Sequence, residues 1–408
     1  MTTDFIVGGL ARNEDFCFRE DFVDELWDIL RKQNVLLLAP RRMGKTSIMY
    51  RLLEQPLHDF HVIHLNVEPL ETPAEFFISL IDAFNEHQPT LLRELLAASW
   101  KPVKQALGQV EEVELLDFKV KLRQAENWDK DWHGLAEQFM QRVESSDQNI
   151  LFIIDELPDL ITAMQDHSRN ELHRFLHCFR AIRQDPAQSN VRWLVAGSVN
   201  IRGTLDDIGQ LKTMNDFDTE ILPPLNDQEV KQFVTMMLDD REVAFGSDLI
   251  PQVQDLLGNP IPFFLQLFTQ ELYRHWRRQQ SEPLTAEIAC RVFEQSLLGE
   301  AAHDKLQHFH SRIRLHYPSH DQQAAYALLD QLSLSDQGIR RQSLFHHYTE
   351  LEQQAGSPRQ GQALKDGFQH LLQRLQSDFY VEQQGDALDF TSRLLKVWWR
   401  RNYGYDAA

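Results

Sequence analysis

The segment NVLLLAPRRMGKTSIMYRLL, residues 34–53, constrains this chain more than any other stretch. Its apolar run from Val35 to Ala39 has the character of a strand covered on both faces, as in a parallel sheet. After the short basic loop PRRMG, a helical pattern starts at Lys45 and continues over 45–53. A strand that enters a helix through so short a loop opens a β-α-β unit. Further apolar runs recur as HVIHLNV (61–67), NILFIID (149–155) and VRWLVAGS (191–198), with a fifth at DTEILPPL (218–225). Helical patterns at 73–85, 132–143 and 171–183 separate them. This alternation predicts a doubly wound α/β domain, and Pro223-Pro224 would end its sheet.

The loop also carries chemistry. Gly44-Lys45-Thr46 stands at the strand-to-helix transition, the context that a phosphate-binding loop requires. There, backbone N–H groups and a helix N-terminus cradle phosphates. Lys45 would neutralise the β- and γ-phosphates, and the Thr46 hydroxyl would hold Mg²⁺. Pro40, Arg41, Arg42, Met43 and Ser47 complete the candidate nucleotide-binding set. Ala39 fills the place of the motif's first glycine, which alanine can do where φ is negative.

The other half of a hydrolytic site is an acidic residue at the end of a second buried strand. NILFIIDELP supplies Asp155, expected to bind Mg²⁺ through water, and Glu156, expected to polarise the attacking water as general base. An Asp-Glu pair standing alone would read as an ordinary helix cap or surface turn. Together with Lys45 it reads as a hydrolytic NTP site that uses Mg²⁺. ATPases with this glutamate carry a strand between the loop strand and the acidic strand, and RWLVAGSVN fits that place. Ser198 at its end, followed by Asn200, would hydrogen-bond the γ-phosphate or the attacking water; an ordinary Gly-Ser turn is the alternative. No guanine-reading Asn-Lys-x-Asp motif accompanies the loop.

These motifs together resemble the archaeal-type P-loop ATPases, a branch near the STAND switch ATPases and the origin-recognition-like AAA+ proteins. APRRMGKTS resembles the Arg-Arg-x-Gly-Lys-Thr-Ser form of the loop, and IIDELPDL the Asp-Glu-hydrophobic-Pro form of the acidic strand. RNEDFCFREDFVDELWDIL resembles the upstream Phe-x-Gly-Arg-Glu box, with Phe18 where glycine is usual and Arg19 as the implied nucleotide contact. GNPIPFFLQLF resembles the Gly-x-Pro helix start of a helical lid. Pro262 is the favoured motif proline and Pro260 the alternative. The resemblance implies a P-loop ATPase domain over 1–225 with an insertion at 90–130, a lid over 226–300, and a winged helix over 301–408. ATP would bind between the first domain and the lid. Within the insertion, VEEVELLDFKVKLRQ alternates in part as a hairpin would.

After Pro224 the pattern is helical, with stretches near 226–240, 247–257, 262–279 and 285–297. From about 301 it remains helical until two short strand patterns flank Gln384-Gly385-Asp386. A winged helix invites DNA binding through a recognition helix near 362–376, which holds Lys365 and Arg374 but also Asp366. In LLKVWWRRNYGY, Trp398 and Trp399 suit packing against neighbouring elements better than stacking on bases. Arg174, Arg180, Arg183 and Arg202 read as exposed charges, and none can be assigned as an arginine finger. The eight histidines from residue 301 onward have no clear ligand spacing.

The formal charge of −20 disfavours broad binding to nucleic acid. From residue 301 onward, 12 basic residues balance 12 acidic ones, so the excess lies earlier in the chain. DNA is therefore best placed at the C-terminal end, and a protein partner or homo-oligomer fits the acidic surface better. No apolar run approaches the ~20 residues of a membrane span, and no export signal is visible. Single cysteines at 17, 178 and 290 suit a reducing cytoplasm.

Overall fold

The computed structural model describes residues 5–12, 16–40, 42–92, 128–185, 190–197, 201–279, 282–354 and 359–404. The hairpin-like stretch 111–125 lies outside them. The chain divides into two compact units. One comprises Arg19–Ala39 and Lys45–Leu222; the other comprises Met1–Phe18, Pro40–Gly44 and Pro223–Ala408.

The first unit is built on five parallel strands: β1 (Asn34–Leu38), β2 (Phe60–Asn66), β3 (Asn149–Asp155), β4 (Val191–Gly197) and β5 (Phe217–Ile221). Their order is β2-β3-β4-β1-β5. β4 thus lies between the loop strand and the acidic strand, with Val35 opposite Leu194 on one side and Ile153 opposite Leu194 on the other. Four of the five strands match the apolar runs within a residue or two. β5 ends at Ile221, before the paired prolines, because proline cannot donate to a ladder.

Helices α1 (Glu20–Leu30), α2 (Lys45–Glu54), α3 (Pro73–His87), α4 (Trp128–Ser145), α5 (Leu157–His167), α6 (Arg169–Gln184) and α7 (Ile201–Asp207) belong to the same unit. α3 starts at a capping box in which Thr72 and Glu75 satisfy each other's backbone donors, with Pro73 in the first turn. The core is strongly aromatic. Phe152 stacks on Trp193 at 4.6 Å, and Phe76 meets Phe175 edge to face at 5.0 Å.

Arg183 on α6 is buried rather than exposed. Its guanidinium donates to both oxygens of Asp216 at 2.9 and 3.0 Å and to the Thr213 carbonyl at 2.6 Å. The rings of Phe179 and Phe217 flank it. The charge is tolerated inside because it is paired and bidentate. On the same helix Arg174 is exposed and Arg180 half-buried, while Arg202 is exposed on α7.

The second unit contains α8 (Asp227–Asp239), α9 (Leu249–Leu257), α10 (Pro262–Gln279), α11 (Ala286–Val292), α12 (Glu300–His316), α13 (Ser319–Leu334), α14 (Arg341–Gln354), α15 (Gly361–Ser377) and α16 (Arg393–Tyr403). Three short strands, β6 (Ile339–Arg340), β7 (Val381–Gln384) and β8 (Ala387–Phe390), form an antiparallel sheet in the order β6-β8-β7. β6 escapes a reading by pattern because two residues carry no periodicity. Trp398 and Trp399 are fully buried, and Trp399 Nε1 donates to Asp330 at 2.7 Å. Among the described residues, no helix is long and apolar enough to cross a membrane.

Candidate nucleotide site

The sheet topology places the C-terminal ends of β1 and β3 two strand positions apart, with β4 between them. In open α/β sheets, ligands bind outside the carboxyl ends of the strands. Lys45 is the first residue of α2, and Asp155 is the last of β3. Lys45 Nζ stands 3.5 Å from Asp155 Oδ1 and 3.4 Å from Glu156 Oε1. Two carboxylates, the second 111 positions along the chain, therefore converge on one ammonium group.

Asp155 is only 4% exposed. Burial pushes its carboxyl up to about 6; Lys45 opposes that rise and the neighbouring Glu156 carboxylate adds to it. Its Oδ1 is buried and receives no hydrogen bond. A buried carboxylate oxygen held by a cation but by no hydrogen bond is a fit donor for a hard metal ion. Glu156 follows in the left-handed region, at φ 60° and ψ 39°, and N-caps α5 without a side-chain cap bond. For a residue with a Cβ, that backbone costs about 1 kcal/mol or more. The strained turn carries the glutamate from the buried strand end to a partly exposed position, 19% by side chain.

The loop itself turns through two positive φ values, Arg42 at 70° and Gly44 at 93°. Nothing lies within 4 Å of a Cβ built on Gly44, so its need for glycine is one of backbone conformation. Pro40 and Met43 are buried and pin the loop, while Thr46 is exposed and Ser47 buried on α2. Arg42 lies over the Phe263 ring at 4.5 Å.

The remaining candidates are more scattered. Arg19 is buried at the N-cap of α1, where its backbone N–H donates to Glu20 Oε2 at 2.9 Å. Pro262 is the first residue of α10, and the Pro260 carbonyl instead accepts from Leu225 N–H at 3.4 Å. Arg41, Ser198 and Asn200 lie outside the described residues. One contributor escapes motif reading. A Cβ on Gly197, at the end of β4, would stand 2.7–2.8 Å from the Pro158 ring. Glycine there lets the Asp-Glu-Leu-Pro turn seat against β4. The Gly-Ser pair after the strand is its only signal in the sequence.

The family model described as Novel STAND NTPase 1 matches residues 10–375. The chain belongs to this family. No curated protein matches it. Among solved structures, the family member is similar to the Walker-type ATPase of Pyrococcus abyssi, with a TM-score of 0.62 and 16% identity over 96% of this chain and 98% of that one. It is also similar to the ORC2 protein of Aeropyrum pernix in ADPNP–ADP complexes, with a TM-score of 0.52 and 11% identity over 95% of each chain. At such identities the likeness is one of fold. This Novel STAND NTPase 1 protein has the α/β architecture of P-loop AAA+ ATPases.

Proposed function

We propose that this chain binds ATP with Mg²⁺ and hydrolyses it slowly as a nucleotide switch in the cytoplasm. The observation that carries the reading is the meeting of Lys45 with Asp155 and Glu156 at 3.5 and 3.4 Å. Lys45 exchanges these carboxylates for β- and γ-phosphate oxygens when ATP arrives. The turn of the loop directs backbone N–H groups to the phosphates, with Pro40, Arg41, Arg42, Met43, Gly44 and Ser47 around them. Thr46 and Asp155 are the residues that would hold Mg²⁺, which supplies neutralisation of phosphate charge. Glu156 takes the proton of the attacking water, and Ser198 hydrogen-bonds that water or the γ-phosphate. Arg19 and Pro262 contact the nucleotide, and the lid reads its state.

Nucleotide state then selects the form that engages a protein partner or a second copy. Coupling requires only that ATP favour one arrangement over another. The C-terminal region supports a protein role over a DNA role, although its antiparallel sheet and helices suit a winged helix. The basic residues of α16 are engaged within the chain. Lys396 pairs with Asp389 at 2.7 Å, Arg393 with Asp255 at 2.6 Å, and Arg400 with Asp336 at 3.1 Å, while Arg401 donates to the Glu294 carbonyl. On α15, Lys365 is exposed beside the equally exposed Asp366, and Arg374 is turned towards Asp321 at 3.9 Å.

The test is Mg²⁺-dependent ATP turnover of the purified protein against two variants. Glu156→Gln should keep ATP binding and lose turnover, and Lys45→Ala should lose binding. Hydrolysis retained in Lys45→Ala would refute the site. ATP bound by the wild type and by Glu156→Gln, with turnover in neither, would leave a switch that needs a trigger.

A further inference from the structure

An open cleft of about 710 Å³ lies within the second unit, bounded by the β7-β8 hairpin, α16 and the turn that joins α9 to α10. Its lining carries charge of both signs. Arg393, Lys396 and Arg400 enter it from one face of α16, where residues three and four apart are neighbours. The hairpin contributes Glu382 and Asp389, which stand directly opposite each other in the β7-β8 ladder. Two carboxylates in that relation repel, and only one of them is neutralised. Lys396 Nζ is 2.7 Å from Asp389 Oδ1. Among the described residues, Glu382 accepts only from two neutral amides, Gln384 at 2.8 Å and Asn259 at 3.3 Å. Thr391, two residues past Asp389, lines the same cleft; it is 4% exposed, and its hydroxyl has no hydrogen-bond partner. A buried hydroxyl left unpaired is a cost that a visiting acceptor would remove.

We propose that this cleft binds a small zwitterion of the α-amino-acid class. The ligand's ammonium supplies the counter-charge that Glu382 lacks. Its carboxylate accepts from the Thr391 hydroxyl and from the N–H that Lys396, with three donors, does not spend on the two oxygens of Asp389. A simple anion would add negative charge beside the unneutralised Glu382. A simple amine would leave Thr391 and the spare N–H of Lys396 without an acceptor. Asn259 belongs to the α9–α10 turn and Glu382 to the hairpin, so a ligand held here braces the two and stabilises the unit by mass action.

The full chain is tested against the common L-amino acids, one at a time, by thermal unfolding and isothermal titration calorimetry. At least one should raise the Tm and bind at one site per chain. Its deaminated acid and its decarboxylated amine should each bind about tenfold more weakly, the scale of one charge-assisted hydrogen bond. Thr391→Val removes an unpaired hydroxyl, so the unliganded variant should melt at the wild-type temperature or higher while its affinity falls about tenfold. Glu382→Gln keeps the shape of the side chain and should weaken binding to a similar extent. No response to any amino acid overturns the proposal, as does an analogue lacking either charge that binds as well as its parent. Full affinity retained in either variant overturns it too, and so does a lowered Tm in unliganded Thr391→Val, which would mean that the hydroxyl is already satisfied.

Discussion

Replacing Asp155 with asparagine should make the protein more stable at neutral pH while removing its function. The carboxyl is 4% exposed and shifted from 3.8 to about 6, with burial as the largest cause and the neighbouring Glu156 adding to it. The folded state thus holds this proton more tightly than the unfolded state does. The sign follows from linkage: above pH 6 the fold carries an ionised, buried carboxylate at a cost of about 3 kcal/mol, taking 1.36 kcal/mol per pKa unit. As pH falls through 6 the cost shrinks, and below about 3.8 it is gone. Asparagine is isosteric with aspartate and cannot ionise, so Asp155→Asn should gain up to about 3 kcal/mol at pH 8 and roughly half of that at pH 5. Urea unfolding in chelator-treated buffer, followed by tryptophan fluorescence, measures the difference; Trp27, Trp132 and Trp193 are buried in the sheet unit. A variant less stable than wild type at pH 8, or a gap that ignores pH, would refute the reasoning. A gap of the expected sign means that the fold gives up stability to keep a charge at the strand end.

Three further outcomes follow from the geometry. Glu156→Gly should be more stable than Glu156→Ala by about 1 kcal/mol, since both lack the carboxylate and only alanine is strained at φ 60°; chemical denaturation of the pair reads this directly. Gly197→Ala forces a methyl to 2.7–2.8 Å from the Pro158 ring and should cost about 1–3 kcal/mol. Its ATP turnover should fall further than its ATP affinity, because Pro158 lies two residues from Glu156, and equal falls in both would count against that link. Duplex DNA at low salt should bind weakly or not at all, and tight binding that falls steeply as salt rises would mean the C-terminal cations are freer than their ion pairs indicate.

How much of this was legible in the sequence depended on the type of interaction. β1, β3 and β4 were legible because a strand buried on both faces must be apolar along its whole length. That Lys45 and Asp155 would meet was legible because the start of a helix after one parallel strand and the end of another parallel strand lie at the same edge of the sheet. Arg183 was not, since its burial depends on Asp216, 33 residues further on, and a lone arginine on a helix gives no sign of such a partner. Phe18 is instructive in another way. It replaces the glycine usual in the upstream box and yet takes φ 63°, the backbone that glycine would supply. The strained residue packs edge to face on Phe233 at 6.3 Å, so a side-chain contact offsets what the backbone loses.

The C-terminal region shows the limit of charge counting most clearly. Twelve basic against 12 acidic residues describes equally well a surface of loose cations and a set of closed pairs. The two differ only in geometry. Lys396, Arg393 and Arg400 each have a carboxylate within 3.1 Å, and the two tryptophans between them are fully buried. A helix that spends its charge and its aromatic surface inside the protein has little left for a phosphate backbone. Its composition would suit DNA, but its partners make it a fastening: Ser392, its N-cap, donates to the Leu257 carbonyl at the end of α9, and Arg393 reaches Asp255 on the same helix. Within its own unit the helix therefore holds α9 and β8 together.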